Sequence, residues 1–84
     1  MPPVEPVLCK HLLSVLHDMN GDSLPEEALL PETEGRACRP ISTEKFSAVL
    51  THCMDKGWIA RRKDFFERWA YWIKDAGENA LREM

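Results

Sequence analysis

Apolar residues recur along this chain at two different spacings, which predict helices first and a β-hairpin later. From Val7 to Met19 they include Leu8, Leu12, Val15, Leu16 and Met19, at steps of four, three, one and three that together form one helical face. Asn20-Gly21 then supplies residues that tolerate the left-handed backbone found at helix ends. The pattern predicts a first helix over residues 7–19.

The next segment begins with Ser23-Leu24-Pro25-Glu26, which has the form of a capping box for a second helix. The apolar side of this helix is Ala28, Leu29 and Leu30. Pro31 has no N–H to donate to the preceding turn. We therefore expect the helix to end near Leu30 and an irregular or re-initiated turn to follow as far as Gly35. Arg39-Pro40-Ile41 is expected to be a short extended piece.

A third helix is predicted from Ser42, whose hydroxyl is a typical N-cap, to Gly57, a typical C-terminal stop. Its apolar face is Phe46, Val49, Leu50, Cys53 and Met54. Aromatic and β-branched residues then predict two strands, Trp58–Arg62 and Arg68–Ile73, joined by a turn. Asp75 is expected to cap a fourth helix with three inward residues, Ala76, Ala80 and Leu81.

Two segments of this pattern match motifs of a known fold. Gly57-Trp58-Ile59-Ala60-Arg61-Arg62 fits "G-(L/W)-I-x-R-R", and residues 71–77 with Leu81 fit "Y-x-(L/I)-T-x-x-G-x-x-x-L". The chain thus resembles the winged helix-turn-helix DNA-binding domains of the MarR- and PadR-type transcriptional regulators. It departs from them at Lys74, where those proteins have Thr, and it does not include their long terminal dimerisation helices.

The resemblance implies an α+β fold: a three-helix body, a two- or three-stranded β wing and a C-terminal helix. We expect residues 1–6 to be a flexible N-terminal arm, since three prolines fall there, and residues 7–84 to form one winged-helix domain. It also implies inward positions for Tyr71 and Ile73, which leaves Trp72 on the opposite strand face.

Charge is unevenly distributed along the 84 residues. The net charge is −3 overall, but residues 1–35 carry −6 and residues 36–74 carry +5. A cationic middle can face a phosphate backbone on one side of an otherwise acidic protein. Three cysteines without paired spacing and the absence of a secretory signal indicate a reducing, cytoplasmic location, and apolar runs of only a few residues indicate no membrane span.

The third helix of such folds lies in the major groove, which makes its polar face the candidate groove-contacting surface. Four residues of that face are assigned to groove contact: Lys45, Ser47, Thr51 and His52. Hydroxyl groups can bond to base donors or acceptors, but the strong bidentate readers Arg, Asn and Gln are missing. An ordinary solvated helix face explains the same pattern equally well.

The hairpin carries four cations that are assigned to the DNA backbone, Arg61, Arg62, Lys63 and Arg68. Each phosphate contact by such a residue releases counterions and makes the affinity depend on salt. The alternative is that Arg61 and Arg68 pair with Glu67 and Asp64 and only keep the hairpin soluble.

Three aromatic residues are candidates for an interface. Phe65 and Phe66 lie at the predicted hairpin tip, where polar residues are usual; one ring is expected to pack on the body and the other to contact a minor groove or a partner protein. An outward Trp72 is either covered by the N-terminal arm or marks a contact, including one between two copies of the chain.

Other chemistry finds little support. The pairs Cys9/His11 and His52/Cys53 lack the usual zinc-ligand spacings, and no phosphate loop or nucleophile motif appears. We therefore expect no metal, no cofactor and no catalytic activity.

The sequence predicts a winged-helix protein that binds double-stranded DNA as a small transcriptional regulator. The alternative is a winged-helix module that binds proteins instead, either a partner or a second copy, which the acidic residues 1–35 and the exposed aromatics would favour.

Overall fold

A computed structural model of the chain describes residues 5–20 and 22–84. Within these residues the chain forms four helices and one three-stranded antiparallel sheet. In chain order the elements are α1 (Pro6–Asp18), β1 (Leu24–Pro25), α2 (Glu26–Ala37), α3 (Thr43–Asp55), β2 (Ile59–Lys63), β3 (Trp69–Ile73) and α4 (Asp75–Glu83). The strand order in the sheet is β1-β3-β2. The α+β fold expected from the sequence is confirmed.

Helix α1 is the centre of the core. It buries six residues, Leu8, Cys9, Leu12, Leu13, Val15 and Leu16, more than the single stripe predicted. Helix α3 adds Phe46, Val49, Leu50 and Cys53, and the sheet adds Ile59, Tyr71 and Ile73. Because α1 contacts α2, α3, α4 and β3, its burial on more than one side follows from its central position.

The predicted arm of residues 1–6 is only partly covered by the structure. Residues 1–4 lie outside the described residues, whereas Glu5 is the N-cap of α1 and Pro6 is its first residue. Proline suits that position because a first-turn N–H has no partner within the helix.

Helix α2 continues through Pro31 to Ala37, so the prediction that it ends near Leu30 is wrong. The Pro31 ring leaves the carbonyl of Glu27 without its helical donor, which typically costs about 3 kcal/mol. Pro31 and Glu27 are both exposed, so solvent can hydrate that carbonyl.

Tertiary contacts hold the turns of α2 that follow the proline. Thr33 is buried, and its hydroxyl donates to the carbonyl of Leu29 at 2.8 Å. Arg36 donates to the Ser14 hydroxyl of α1 at 2.8 Å and pairs with Asp18 at the end of that helix. The burial of Thr33 and the contacts of Arg36 with α1 explain why the helix does not end where its local sequence suggests.

Strand β1 was not predicted, and it replaces the capping box expected at Ser23. Leu24 pairs with Tyr71 and Pro25 with Ala70, which holds both residues extended. Pro25 is therefore the N-cap of α2, and no side chain caps the helix. Two residues are too few to show a strand period, so only pairing with β3 reveals this element.

The boundaries of α3 and the hairpin agree with the sequence. Ser42 is the N-cap, and its hydroxyl accepts the N–H of Lys45 at 3.1 Å. Gly57 has the left-handed backbone expected of a stop, with φ of 74°. The two predicted strands are β2, shifted by one residue, and β3, which begins one residue later than predicted and ends at Ile73 as predicted. Residues 39–41 stay outside the sheet.

Helix α4 begins as a close neighbour of the hairpin. Its N-cap is Lys74 rather than Asp75, and no side chain caps it. Ala76, expected inward, is exposed, and Gly77 is buried instead, because this turn lies directly against the backbone of Trp58. No helix in the part of the chain that the structure describes is long and apolar enough to cross a membrane.

Candidate nucleic-acid interface

The polar face of α3 lies on the surface, as the third helix of the predicted fold requires. Lys45, Ser47 and Thr51 are exposed, and His52 is half-buried with its ring edge-on to Trp58 at 5.7 Å between centroids. Residues four apart lie on the same side of a helix, so Ser47 and Thr51 form one stripe. Lys45 and His52 lie seven apart on a second stripe.

Carboxylates share this face of α3 and reduce its attraction for phosphate. Glu44 and Asp55 are also exposed, and the helical period places Glu44 close to Thr51 around the axis. Helix α3 carries one lysine against two carboxylates, so this polar surface has no net positive charge. Base contact by the four assigned residues stays a prediction.

Lys45 is also held by an internal ion pair that sequence reasoning missed. Glu5 accepts from Lys45 Nζ at 3.2 Å and pairs with Arg39 in the loop before α3. The hydrogen bonds from Arg39 and Lys45 lower the pKa of the Glu5 carboxyl. Residues separated by 34 and 40 positions give no signal of such contacts in a sequence.

The wing consists of β2, β3 and the turn between them, and its register sorts the predicted cations onto two faces. Arg61 pairs with Tyr71 and Lys63 with Trp69, whereas Arg62 pairs with Ala70. Paired residues point to the same side of a sheet. Arg61 and Lys63 therefore share one face of the wing, and Arg62 lies on the other.

Each of these three side chains, called here the β2 cations, lies over an aromatic ring. The guanidinium carbon of Arg61 is 4.1 Å and the Lys63 nitrogen 5.4 Å from the centroid of Trp69. Arg62 lies 5.7 Å from the centroid of Trp72. Ring faces attract cations without neutralising their charge.

No carboxylate in the described part of the chain forms an ion pair with a β2 cation. Arg61, Arg62 and Lys63 are all exposed. Their charge therefore remains available to an external anion.

Arg68 differs from the other three cations assigned to the DNA backbone. Its guanidinium donates to Glu27 of α2 at 2.7 Å and to Asp64 at 3.2 Å. The hydrogen bond to Glu27 raises the pKa of Arg68. The sequence-based alternative, in which wing arginines pair with neighbouring carboxylates, is right for Arg68 and Asp64. It is not right for Arg61, which forms no ion pair with Glu67. We expect Arg68 to be the least available of the four.

The wing tip, residues 64–68, presents two aromatic rings to solvent. Phe65 is 94% exposed and Phe66 is 70% exposed, and the rings contact each other edge to face at 5.4 Å. Neither ring packs into the core, so the expectation that one would fold onto the body is wrong. The turn is closed by hydrogen bonds of its own around Asp64, so it does not depend on a buried ring to hold its shape.

Trp72 is half-buried on the wing face opposite to Tyr71 and Ile73. Both of those residues are inward, as predicted, with 2% and 8% exposed. The Arg62 guanidinium lies over the Trp72 indole. Neither sequence-based alternative for Trp72, cover by the N-terminal arm or a contact between molecules, included this contact. A contact between molecules through Trp72 stays a prediction.

The opposite edge of the wing is acidic. An open cleft of about 290 Å³ lies between the start of α2 and the wing, lined by Glu26, Glu27, Glu67, Arg68 and Trp69. Three carboxylates against one paired arginine make this edge unsuited to phosphate. The wing therefore has a cationic edge along β2 and an acidic edge toward β1.

The described residues contain no cluster of side chains that would support the metal interpretation of the Cys/His pairs. In residues 5–20 and 22–84 no three His, Cys, Asp or Glu side chains are grouped so that they could hold a metal ion. Cys9 and Cys53 are both buried, and the contact with Cys9, together with burial, raises the pKa of the Cys53 thiol.

No protein-family model and no curated protein sequence matches this chain. Solved structures, in contrast, do match it. A MarR-family transcriptional regulator from Silicibacter pomeroyi aligns with a TM-score of 0.76 and 17% identity over 92% of this chain and 47% of its own.

RosR of H. salinarum aligns with a TM-score of 0.76 and 17% identity, over 90% of this chain and 66% of its own. A second RosR structure, the complex hsRosR-S4, aligns with a TM-score of 0.75 and 17% identity, over 89% of this chain and 63% of its own.

This chain spans about half to two thirds of the length of these proteins. The similarity at such low identity concerns the fold, and the order of helices and strands agrees with it. The chain has the winged-helix fold found in MarR-family regulators.

Proposed function

We propose that this chain binds double-stranded DNA and acts as a small transcriptional regulator, or as the DNA-binding part of one. The observation that carries the proposal is the β2 edge of the wing, where Arg61, Arg62 and Lys63 are exposed and have no carboxylate partner among the described residues. These cations directly follow α3, so that helix and strand can face one duplex.

In this proposal the wing supplies most of the affinity and α3 supplies orientation. The β2 cations contact phosphates, and Ser47 and Thr51 approach base edges. Non-specific electrostatic affinity then exceeds base discrimination, because the strong base-reading side chains are missing from α3. The chain acts without catalysis or cofactor, in the cytoplasm.

A salt series with a fluorescent mixed-sequence duplex tests this proposal. Affinity should fall steeply as salt rises, because each phosphate contact contributes a slope of about −0.9 in log–log form. Replacing both Arg61 and Lys63 by Ala should reduce the magnitude of that slope by about two units.

Two controls make the result specific. The double change Lys10→Ala/Arg82→Ala removes the same charge from exposed positions of α1 and α4 and should leave the slope unchanged. Arg68→Ala should change it by much less than one unit, since Arg68 already has two carboxylate partners. Absence of binding at low salt would overturn the proposal.

The second candidate is a protein-binding winged helix, which the acidic edge and the exposed wing-tip rings favour. Sedimentation of the wild type beside Trp72→Ala tests self-association. A dimer that Trp72→Ala dissociates would support this candidate.

A further inference from the structure

The backbone of the wing tip is hydrogen-bonded within the turn in spite of its exposure. The Asp64 carboxylate accepts the backbone N–H groups of Phe66 at 2.8 Å and Arg68 at 2.9 Å. The Asp64 N–H donates to the Arg68 carbonyl at 2.8 Å, and the Glu67 N–H donates to the Asp64 carbonyl at 3.0 Å. These four hydrogen bonds fix the backbone on both sides of the two rings.

The two rings of the tip have different surroundings. The guanidinium carbon of Arg68 lies 5.2 Å from the centroid of Phe66, and Arg68 is itself anchored to Glu27 and Asp64. Phe66 therefore has an anchored cation over its ring, although 70% of the residue stays exposed. Phe65 is 94% exposed, and its ring–ring contact is with Phe66, so it is the ring that the turn presents outward.

Charge and area indicate what Phe65 contacts. The strand that leads into the tip carries the β2 cations, which suit a polyanion. Stable protein interfaces bury roughly 1,200–2,000 Å² in total, whereas an aromatic side chain buries roughly 150–250 Å². Two such rings supply less than one partner's half of a stable protein interface, whereas one ring is sufficient to enter a base step.

We propose that Phe65 is a wedge that enters the minor groove and partly unstacks one base step while the β2 cations hold the flanking phosphates. Apolar side chains used in this way kink the duplex toward the major groove. The inference rests on the proposed function, because it names what the wing tip does once the wing is on DNA.

The test uses short duplexes that carry 2-aminopurine at a central step, whose fluorescence rises when the base unstacks. Wild-type protein should raise the fluorescence at saturation, and Phe65→Ala should abolish the rise. Phe65→Ala should also weaken binding by roughly five- to a hundredfold, the usual effect of losing one aromatic stack on a base. Its salt slope should equal that of the wild type, since no charge is removed.

Phe66→Ala is the matched control, since it removes the neighbouring ring, which is less exposed than Phe65 and has Arg68 over it. It should retain the fluorescence rise. Arg61→Ala/Lys63→Ala should show the reverse pattern, a changed slope with the rise retained at saturation. Thermal melting of Phe65→Ala should match the wild type, because the ring makes no contact with the core.

Three results would overturn the wedge. If Phe65→Ala binds and unstacks DNA like the wild type, the wedge is wrong while the proposed function stands. If the wild type binds no DNA at low salt, both fail together. If Phe65→Ala leaves DNA binding intact but dissociates a dimer seen by sedimentation, the ring is a contact between copies.

Discussion

Gly77 shows how one residue fixes the junction between the wing and α4. A Cβ atom at this position would lie 2.2 Å from the Trp58 carbonyl oxygen and 2.7 Å from Cγ1 of Ile73. The same carbonyl accepts the Lys74 N–H at 2.8 Å, so it cannot move away freely. The sequence motif contains this glycine, but only the structure gives the steric reason.

We expect Gly77→Ala to lower the free energy of unfolding by about 1–3 kcal/mol, the usual cost of overpacking. Alanine is the better helix former by roughly 1 kcal/mol, so a loss of stability would show that the close contact dominates. Urea unfolding followed by circular dichroism measures the effect.

Gly35→Ala is the control for this prediction. Gly35 is also helical, but a Cβ atom added there would have no other atom within 4 Å, and we expect a gain of up to about 0.5–1 kcal/mol. A Gly77→Ala variant as stable as the wild type would contradict the account of this junction.

At the scale of elements, local sequence signals predicted α3 and the wing, whereas β1 and the length of α2 depend on tertiary contacts. Ser42 and Gly57 each act within their own turn, so the bounds of α3 could be predicted. Strand β1 exists because Leu24 and Pro25 pair with β3, and α2 passes Pro31 because its last turns contact α1. Both depend on residues distant in sequence.

The candidate site, like the fold, could be predicted only in part from the sequence. The cations of the hairpin are visible in the sequence, but their division between two faces follows from the β2–β3 register. The pairing of Arg68 with Glu27 joins residues 41 positions apart, and no local pattern indicates it.

Glu5 links the start of α1 to the start of α3, and this link bears on the proposed DNA binding. Its carboxylate neutralises part of the charge of Arg39 and Lys45. The hydrogen bonds from Arg39 and Lys45 lower the pKa of this carboxyl, so they favour its charged form. A phosphate that binds at this surface, as proposed, would have to compete with Glu5 for both cations.

We expect Glu5→Gln to raise the affinity for duplex DNA by roughly two- to fivefold, in keeping with the small energies of exposed ion pairs. The gain should disappear when Arg39 and Lys45 are also replaced by Ala. Fluorescence anisotropy at fixed low salt measures it. An unchanged or weaker affinity for Glu5→Gln would mean that these two cations do not face DNA.

At the scale of the whole molecule, charge is segregated by surface rather than only by sequence. The cationic edge of β2 and the acidic cleft lined by Glu26, Glu27 and Glu67 lie on opposite edges of one sheet. A protein with net charge −3 can therefore approach DNA in one orientation and repel it in the other. This asymmetry reconciles the acidic composition with a DNA-binding proposal.

The most direct test is a nuclear magnetic resonance titration of the chain with a short DNA duplex at low salt. The account predicts amide shift changes along residues 43–52 of α3, along β2 and at the wing tip, with little change at the α1–α4 surface where His17 meets Glu78. No shift changes, or changes confined to the acidic cleft, would contradict it.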